Sequence, residues 1–116
     1  MPPKKQVVKK IEDDESLLPY LSETLQQLVI IDLYAPWTGP CETMKEYYKS
    51  LCGKFEDFED RCEILQVKQG KISHFTNYSM TSRPRFLFVL KGKVVQEVRS
   101  VNTLEIDTTI NKFIPA

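Results

Sequence analysis

Apolar residues along this 116-residue chain change their spacing from stretch to stretch, and the changes mark out its elements. Gln6-Val-Val-Lys-Lys-Ile11 alternates weakly, as an edge strand does. Ser16 then stands at a helix start, ahead of Leu17, Leu21, Leu25 and Leu28 at helical spacing, with Pro19 in the first turn, where a missing N–H costs little. Val29-Ile-Ile-Asp-Leu-Tyr-Ala35 is a nearly continuous apolar run rich in β-branched residues. That is the pattern of a strand covered on both faces, and it predicts the centre of the sheet.

After the breaker-rich turn Pro36-Trp37-Thr38-Gly39-Pro40, the residues Cys41, Met44, Tyr48, Leu51 and Phe55 recur at alternating spacings of three and four, an amphipathic helix starting where a buried strand ends. Cys62 to Lys68 reads as a further strand and Ile72 to Tyr78 as a short helix. Phe86-Leu-Phe-Val-Leu90, the tight turn Lys91-Gly92 and Val94-Val-Gln-Glu-Val98 predict an antiparallel hairpin. Asn102 and Glu105 have capping-box spacing, ahead of Ile106, Ile110, Phe113 and Ile114 on one helical face. Alternating strands and helices followed by a hairpin give an α/β chain with a central mixed sheet flanked by helices.

Length allows one hydrophobic core, so we divide the chain into a short basic tail, residues 1–6, and one domain, 7–116. Sixteen basic residues balance sixteen acidic ones, and no net field draws the molecule to nucleic acid or to an anionic membrane. The lysines of the first ten residues face Glu12-Asp-Asp-Glu15 within a Debye length and are largely cancelled. The first ten residues lack the apolar stretch of a secretion signal, and Leu28-Val-Ile-Ile31 is stopped by Asp32, so the expected location is the cytoplasm. Cys41, Cys52 and Cys62 are odd in number and are expected as thiols. With His74 as the only histidine and no zinc-like spacing, neither a metal nor a cofactor is expected.

From about Val7 to Ile114 the sequence resembles the thioredoxins. The resemblance rests on landmarks in register: Asp32 inside the strand leading to the motif, Trp37-Thr-Gly-Pro-Cys41 itself, and Tyr78 ahead of Arg83-Pro84-Arg85 and Phe86-Leu-Phe88, which look like the family's cis-proline loop. It implies a thioredoxin-like fold. It also implies that Thr38 stands where the family has its attacking cysteine, whose pKa is lowered to roughly 7 in active members. Cys41 then matches the resolving cysteine and Asp32 the buried acid that serves it. The family's lysine partner for that acid falls at Gln66, and the proline that kinks the motif helix falls at Glu46, so a straighter helix is expected.

A hydroxyl cannot form a mixed disulfide, so Thr38 removes the first step of thiol–disulfide exchange. The resulting expectation is a redox-silent module that binds a protein partner stably through Trp37, Thr38, Gly39, Pro40, Arg83, Pro84 and Arg85. In it the two guanidiniums beside Trp37 form an exposed patch suited to carboxylates, and removal of Arg85 costs the fold little. In overall texture the chain is most similar to thioredoxin-like light chains of outer-arm axonemal dynein, which implies a dynein heavy chain or another axonemal dynein subunit as partner and a place in the cilium axoneme. The alternative is a thiol–disulfide oxidoreductase or redox sensor working through Cys41 with Asp32.

Overall fold

The computed structural model describes residues 8–34, 42–68, 85–99 and 101–115. Five strands form one sheet: β1 (Val8–Ile11), β2 (Leu28–Tyr34), β3 (Cys62–Lys68), β4 (Arg85–Leu90) and β5 (Lys93–Arg99), in the order β1-β3-β2-β4-β5. β3 runs parallel to both β1 and β2, whereas β4 is antiparallel to β2 and to β5. The sheet is therefore mixed, with the most apolar strand of the sequence at its centre.

Six of the seven β2 residues are buried, Leu28 to Leu33, because both faces of the sheet are covered there. Leu28 and Ile30 pack with Met44, Tyr48 and Leu51 of helix α2 (Glu42–Lys54) and Ile106 and Ile110 of the last helix, α4 (Thr103–Phe113). On the opposite face, Val29, Ile31 and Leu33 pack with Leu17, Leu65, Val67, Leu87 and Val89. One strand thus contributes to both cores, which is why its polar interruption at Asp32 matters.

Two local readings of the sequence are corrected. The helix expected from Ser16 to Leu28 is a single turn, α1 (Asp14–Leu17), followed by a 3-10 turn over Leu18–Leu21. The cap is Asp13, whose carboxylate accepts from the Ser16 N–H at 2.8 Å. Pro19 has no N–H to return to Glu15, so the chain tightens instead of continuing as α-helix, and Leu28 becomes the first residue of β2. The second correction is an added turn of helix, α3 (Phe58–Arg61), entered through Asp57 in a left-handed conformation and seating Phe58 in the core. Gln6 and Val7 of the first expected strand, and the expected helix from Ile72 to Tyr78, lie outside the described residues.

The hairpin and the last helix form as the sequence predicts. Lys91 and Gly92 both have positive φ, 52° and 80°, as a two-residue turn with the twist of the flanking strands requires. Asn102 caps α4 by accepting from the Glu105 N–H at 3.1 Å. Between β4 and β5 the register passes from Phe88↔Gln96 to Val89↔Val94, so Val95 is an extra residue, a bulge on the edge strand. Among the described residues no helix is long and apolar enough to cross a membrane.

The hairpin turn is pinned against the 3-10 turn, and a Cβ added at Gly92 would lie 2.5 Å from the Leu21 carbonyl oxygen. Gly92→Ala combines that overlap with a left-handed backbone that alanine disfavours, and should lower the free energy of unfolding by roughly 1–3 kcal/mol in urea titration. A substitution with no effect would show that the turn is not held against Leu21.

Candidate functional site

Helical periodicity places Met44, Tyr48 and Leu51 on the inner face of α2, and strand alternation turns Asp32 toward the same layer as Leu28 and Ile30. These placements bring the Tyr48 hydroxyl to Asp32, donating to Oδ2 at 2.7 Å. A buried tyrosine ring brings an O–H that must find an acceptor, and in this core the acceptor is the carboxylate of β2. Gln66 is the register partner of Asp32 on β3, and Phe86 is its partner on β4. The neutral Gln66 amide thus stands where the resemblance places a lysine.

Asp32 is fully buried, and its Oδ1 has no hydrogen-bond partner among the described residues. Burial pushes its carboxyl up to about 6, while the hydrogen bond from Tyr48 and the neighbouring Gln66 side chain pull the other way. The opposing groups are neutral dipoles, so they offset only part of the cost of taking a charge out of water. The side chain of Tyr48 thus satisfies one of its two oxygens.

Beside it, the Tyr47 ring lies 6.0 Å from that of Tyr48, and its hydroxyl donates to Asp107 Oδ1. Lys54 reaches the other oxygen of Asp107 at 2.6 Å, tying the end of α2 to α4. Burial, then the Asp107 carboxylate, hold the Tyr47 hydroxyl far above its ordinary value, so it stays a neutral donor. α2 continues as helix through Glu46 to Lys54.

Of the expected docking residues, Trp37, Thr38, Gly39, Pro40, Arg83 and Pro84 lie outside the described residues, as does Cys41. Arg85 is described, and the expectation of an exposed loop cation is corrected. It opens β4 opposite Leu33, is 8% exposed, and binds Glu97 through Nη1 at 3.2 Å. Alternation along a strand, not loop geometry, sets its direction: Arg85 shares the face of Leu87 and Val89 and is drawn under the sheet edge. Glu97 also binds Arg99 at 2.9 Å, and it is Arg99 that projects, with 77% of its side chain exposed.

Sequence reasoning missed the Tyr48–Asp32 bond and the Arg85–Glu97–Arg99 ladder. The first had a signal, an acid in a doubly buried strand and a tyrosine on an apolar stripe. The second needs the hairpin register, which the bulge at Val95 shifts. Cys62 is buried, and burial, then the charge of Glu63, push its thiol far above its ordinary value, so it is unreactive. Among the described residues no cluster of side chains suits a metal ion.

The Thioredoxin family profile matches residues 8–114. Thioredoxin from Rattus norvegicus is 30% identical over 108 residues, covering 92% of this chain and 99% of the relative. Thioredoxin from Gallus gallus is 30% identical over 90 residues, covering 77% and 82%. Among solved structures, reduced thioredoxin pre-protein from Schistosoma mansoni superposes with a TM-score of 0.73 at 24% identity, covering 94% of this chain and all of that one. Thioredoxin from Nicotiana alata gives 0.75 at 20% identity, covering 99% of each chain. The last two likenesses concern the fold alone.

Asp32 holds its proton more tightly in the folded chain than in the unfolded one. Its contribution to stability is therefore full below the ordinary value of 3.8 and is lost as pH rises through about 6. Asp32→Asn keeps an acceptor for Tyr48 and removes the charge, so it should stabilise the fold at pH 7 by on the order of 1–3 kcal/mol, and by little at pH 3.5. Urea titrations of both proteins at the two pH values check this, and an equal difference at both would place the carboxyl near its ordinary value. A second expectation concerns Arg85→Ala, which strips a half-buried carboxylate of one partner while Arg99 remains. Chemical denaturation should register a loss of roughly 1–2 kcal/mol, against nearly none if Arg85 were a solvated loop residue.

Proposed function

We propose that this chain, which belongs to the thioredoxin family, is a member that binds a protein partner and does not carry out dithiol exchange. The single observation that supports this is Thr38 in the Trp37-Thr-Gly-Pro-Cys41 motif. Disulfide exchange requires a thiolate to attack a disulfide sulfur, forming one S–S bond as another breaks and a thiolate leaves. A threonine hydroxyl is not ionised at neutral pH and forms no S–S bond, so Cys41 would have no mixed disulfide to resolve.

A fold can keep a preformed surface after its chemistry is lost. The proposed docking surface comprises Trp37, Thr38, Gly39, Pro40, Arg83 and Pro84. Arg85 leaves that set as a buried support, and Arg99 joins it as an exposed cation. Because β5 runs in the same direction as β2, Arg99 lies at the sheet end from which residues 35–41 depart. Tryptophan and arginine are residue types that often anchor interfaces.

A narrower reading, a light chain of an outer-arm axonemal dynein acting in the cilium, draws on sequence texture alone, and the relatives named above, all thioredoxins, add nothing to it. Constant stoichiometry with a dynein heavy chain through high-salt sedimentation of axonemes would support it, and a free monomer in such extracts would remove it. The second reading is an oxidoreductase or redox sensor working through Cys41. It is favoured by the thioredoxin relatives and by the retention of a buried acid at Asp32.

Disulfide reduction assays separate the two. With dithiothreitol as electron donor, the purified protein should reduce insulin no faster than its heat-inactivated control. Turnover that disappears in Cys41→Ser would instead establish the oxidoreductase reading. Thr38→Cys should form an intramolecular disulfide with Cys41 under mild oxidant, seen as protection from alkylation, and failure to form it would show that the two positions are not adjacent as in the family.

A further inference from the structure

β4 and β5 set two cations face to face. Arg85 is the register partner of Arg99, and alternation turns both to the side of the sheet away from Phe86 and Val98. Like charges directly opposite on one face of an antiparallel pair are unfavourable, and an exposed position at the end of an edge strand has no structural need of a cation. Glu97 offsets the repulsion. One of its oxygens, Oε1, accepts from Arg85 Nη1 at 3.2 Å and from Arg99 Nε at 2.9 Å.

The two arginines stand differently toward that carboxylate. Arg85 is confined, with 10% of its side chain exposed, and its charge balances that of Glu97. Arg99 is held in place by a hydrogen bond while its own charge is left over. Its one contact among the described residues is through Nε, so the two terminal nitrogens, the paired end of the guanidinium, remain for a group from outside.

We propose that Arg99, positioned by Glu97, is a carboxylate receptor at the sheet end from which residues 35–41 depart, and that the docked partner presents an aspartate or glutamate side chain to it. This rests on the docking reading above and adds the partner's chemistry to it. The terminal N–H groups of a guanidinium match both oxygens of a carboxylate in a bidentate pair that lysine cannot form. Anchoring Nε on Glu97 beforehand removes part of the ordering cost that a free arginine side chain meets on binding. Glu97 is a positioning residue, since it acts through Arg99.

The test presents the full chain with an array of short random peptides carrying amidated C-termini, so that every carboxylate on the array belongs to a side chain. Bound peptides should be enriched in Asp and Glu. For the tightest of them, exchange of the acid for its amide should weaken binding about tenfold in fluorescence anisotropy, and Arg99→Lys, which keeps the charge and loses the paired geometry, should do the same. Glu97→Met removes the acceptor at nearly constant length and makes the chain more positive: general attraction would tighten binding, whereas loss of position should weaken it. Near-UV circular dichroism checks that this variant is folded, and the exposed Arg99→Lys carries the test if it is not. Lys68→Ala removes a cation from the same end of the sheet on its opposite face and should leave the affinity unchanged. An affinity indifferent to Arg99→Lys, or lost equally in Lys68→Ala, would overturn the proposal. Peptides bound without acidic enrichment yet released by Trp37→Ala would overturn it and keep the docking reading. Absence of any bound peptide would count against the docking reading itself, and the receptor would fall with it.

Discussion

A strand covered on both faces has no solvent side to which a polar residue can be turned, and β2 carries an acid two residues from its end. Much of the upper layer is arranged around that constraint. The carboxylate takes a donor from α2 and a neutral neighbour from β3, and it carries the cost of its own desolvation. The contact is not an accident of packing at the surface, since Asp32 and Tyr48 are both essentially inaccessible. It fixes which face of α2 looks inward and ties that helix to the strand from which the motif departs.

The parts of the fold that were legible in the sequence are those where a single physical rule acts without competition. The apolar run from Val29 to Ala35 could satisfy its hydrophobicity only as a doubly covered strand, and β2 lies at the sheet centre. Lys91-Gly92 and the pair Asn102 and Glu105 encode their turn and cap in local backbone chemistry. Where two rules competed, the pattern misled. Leu17, Leu21, Leu25 and Leu28 have helical spacing, but Pro19 breaks the hydrogen-bond ladder and Leu28 is claimed by the sheet. Arginines beside a proline resemble a solvated loop, yet Arg85 is the first residue of a strand and its direction follows the pleat.

The candidate site divides along the same line. Identity at positions 37 to 41 is a matter of sequence, and the absence of a cysteine at Thr38 needs no coordinates to be read. What surrounds Asp32 is not local in sequence: Tyr48 arrives from sixteen residues away on a helix, and Gln66 arrives through parallel register across two strands. The chemistry of the motif and the chemistry of its support therefore come from different kinds of information.

The bulge at Val95 bears on how such a molecule lives at high local concentration. β5 is an open sheet edge, and Val94 and Val95 on it are 46% and 38% exposed, which by composition would invite a strand from another chain. The unmatched residue breaks the even spacing of N–H and C=O groups along that edge, and the charged residues Lys93 and Arg99 close the strand at its two ends. An incoming strand would find a ladder whose rungs change step midway. The edge strand thus resists pairing with a strand from a second copy of the chain.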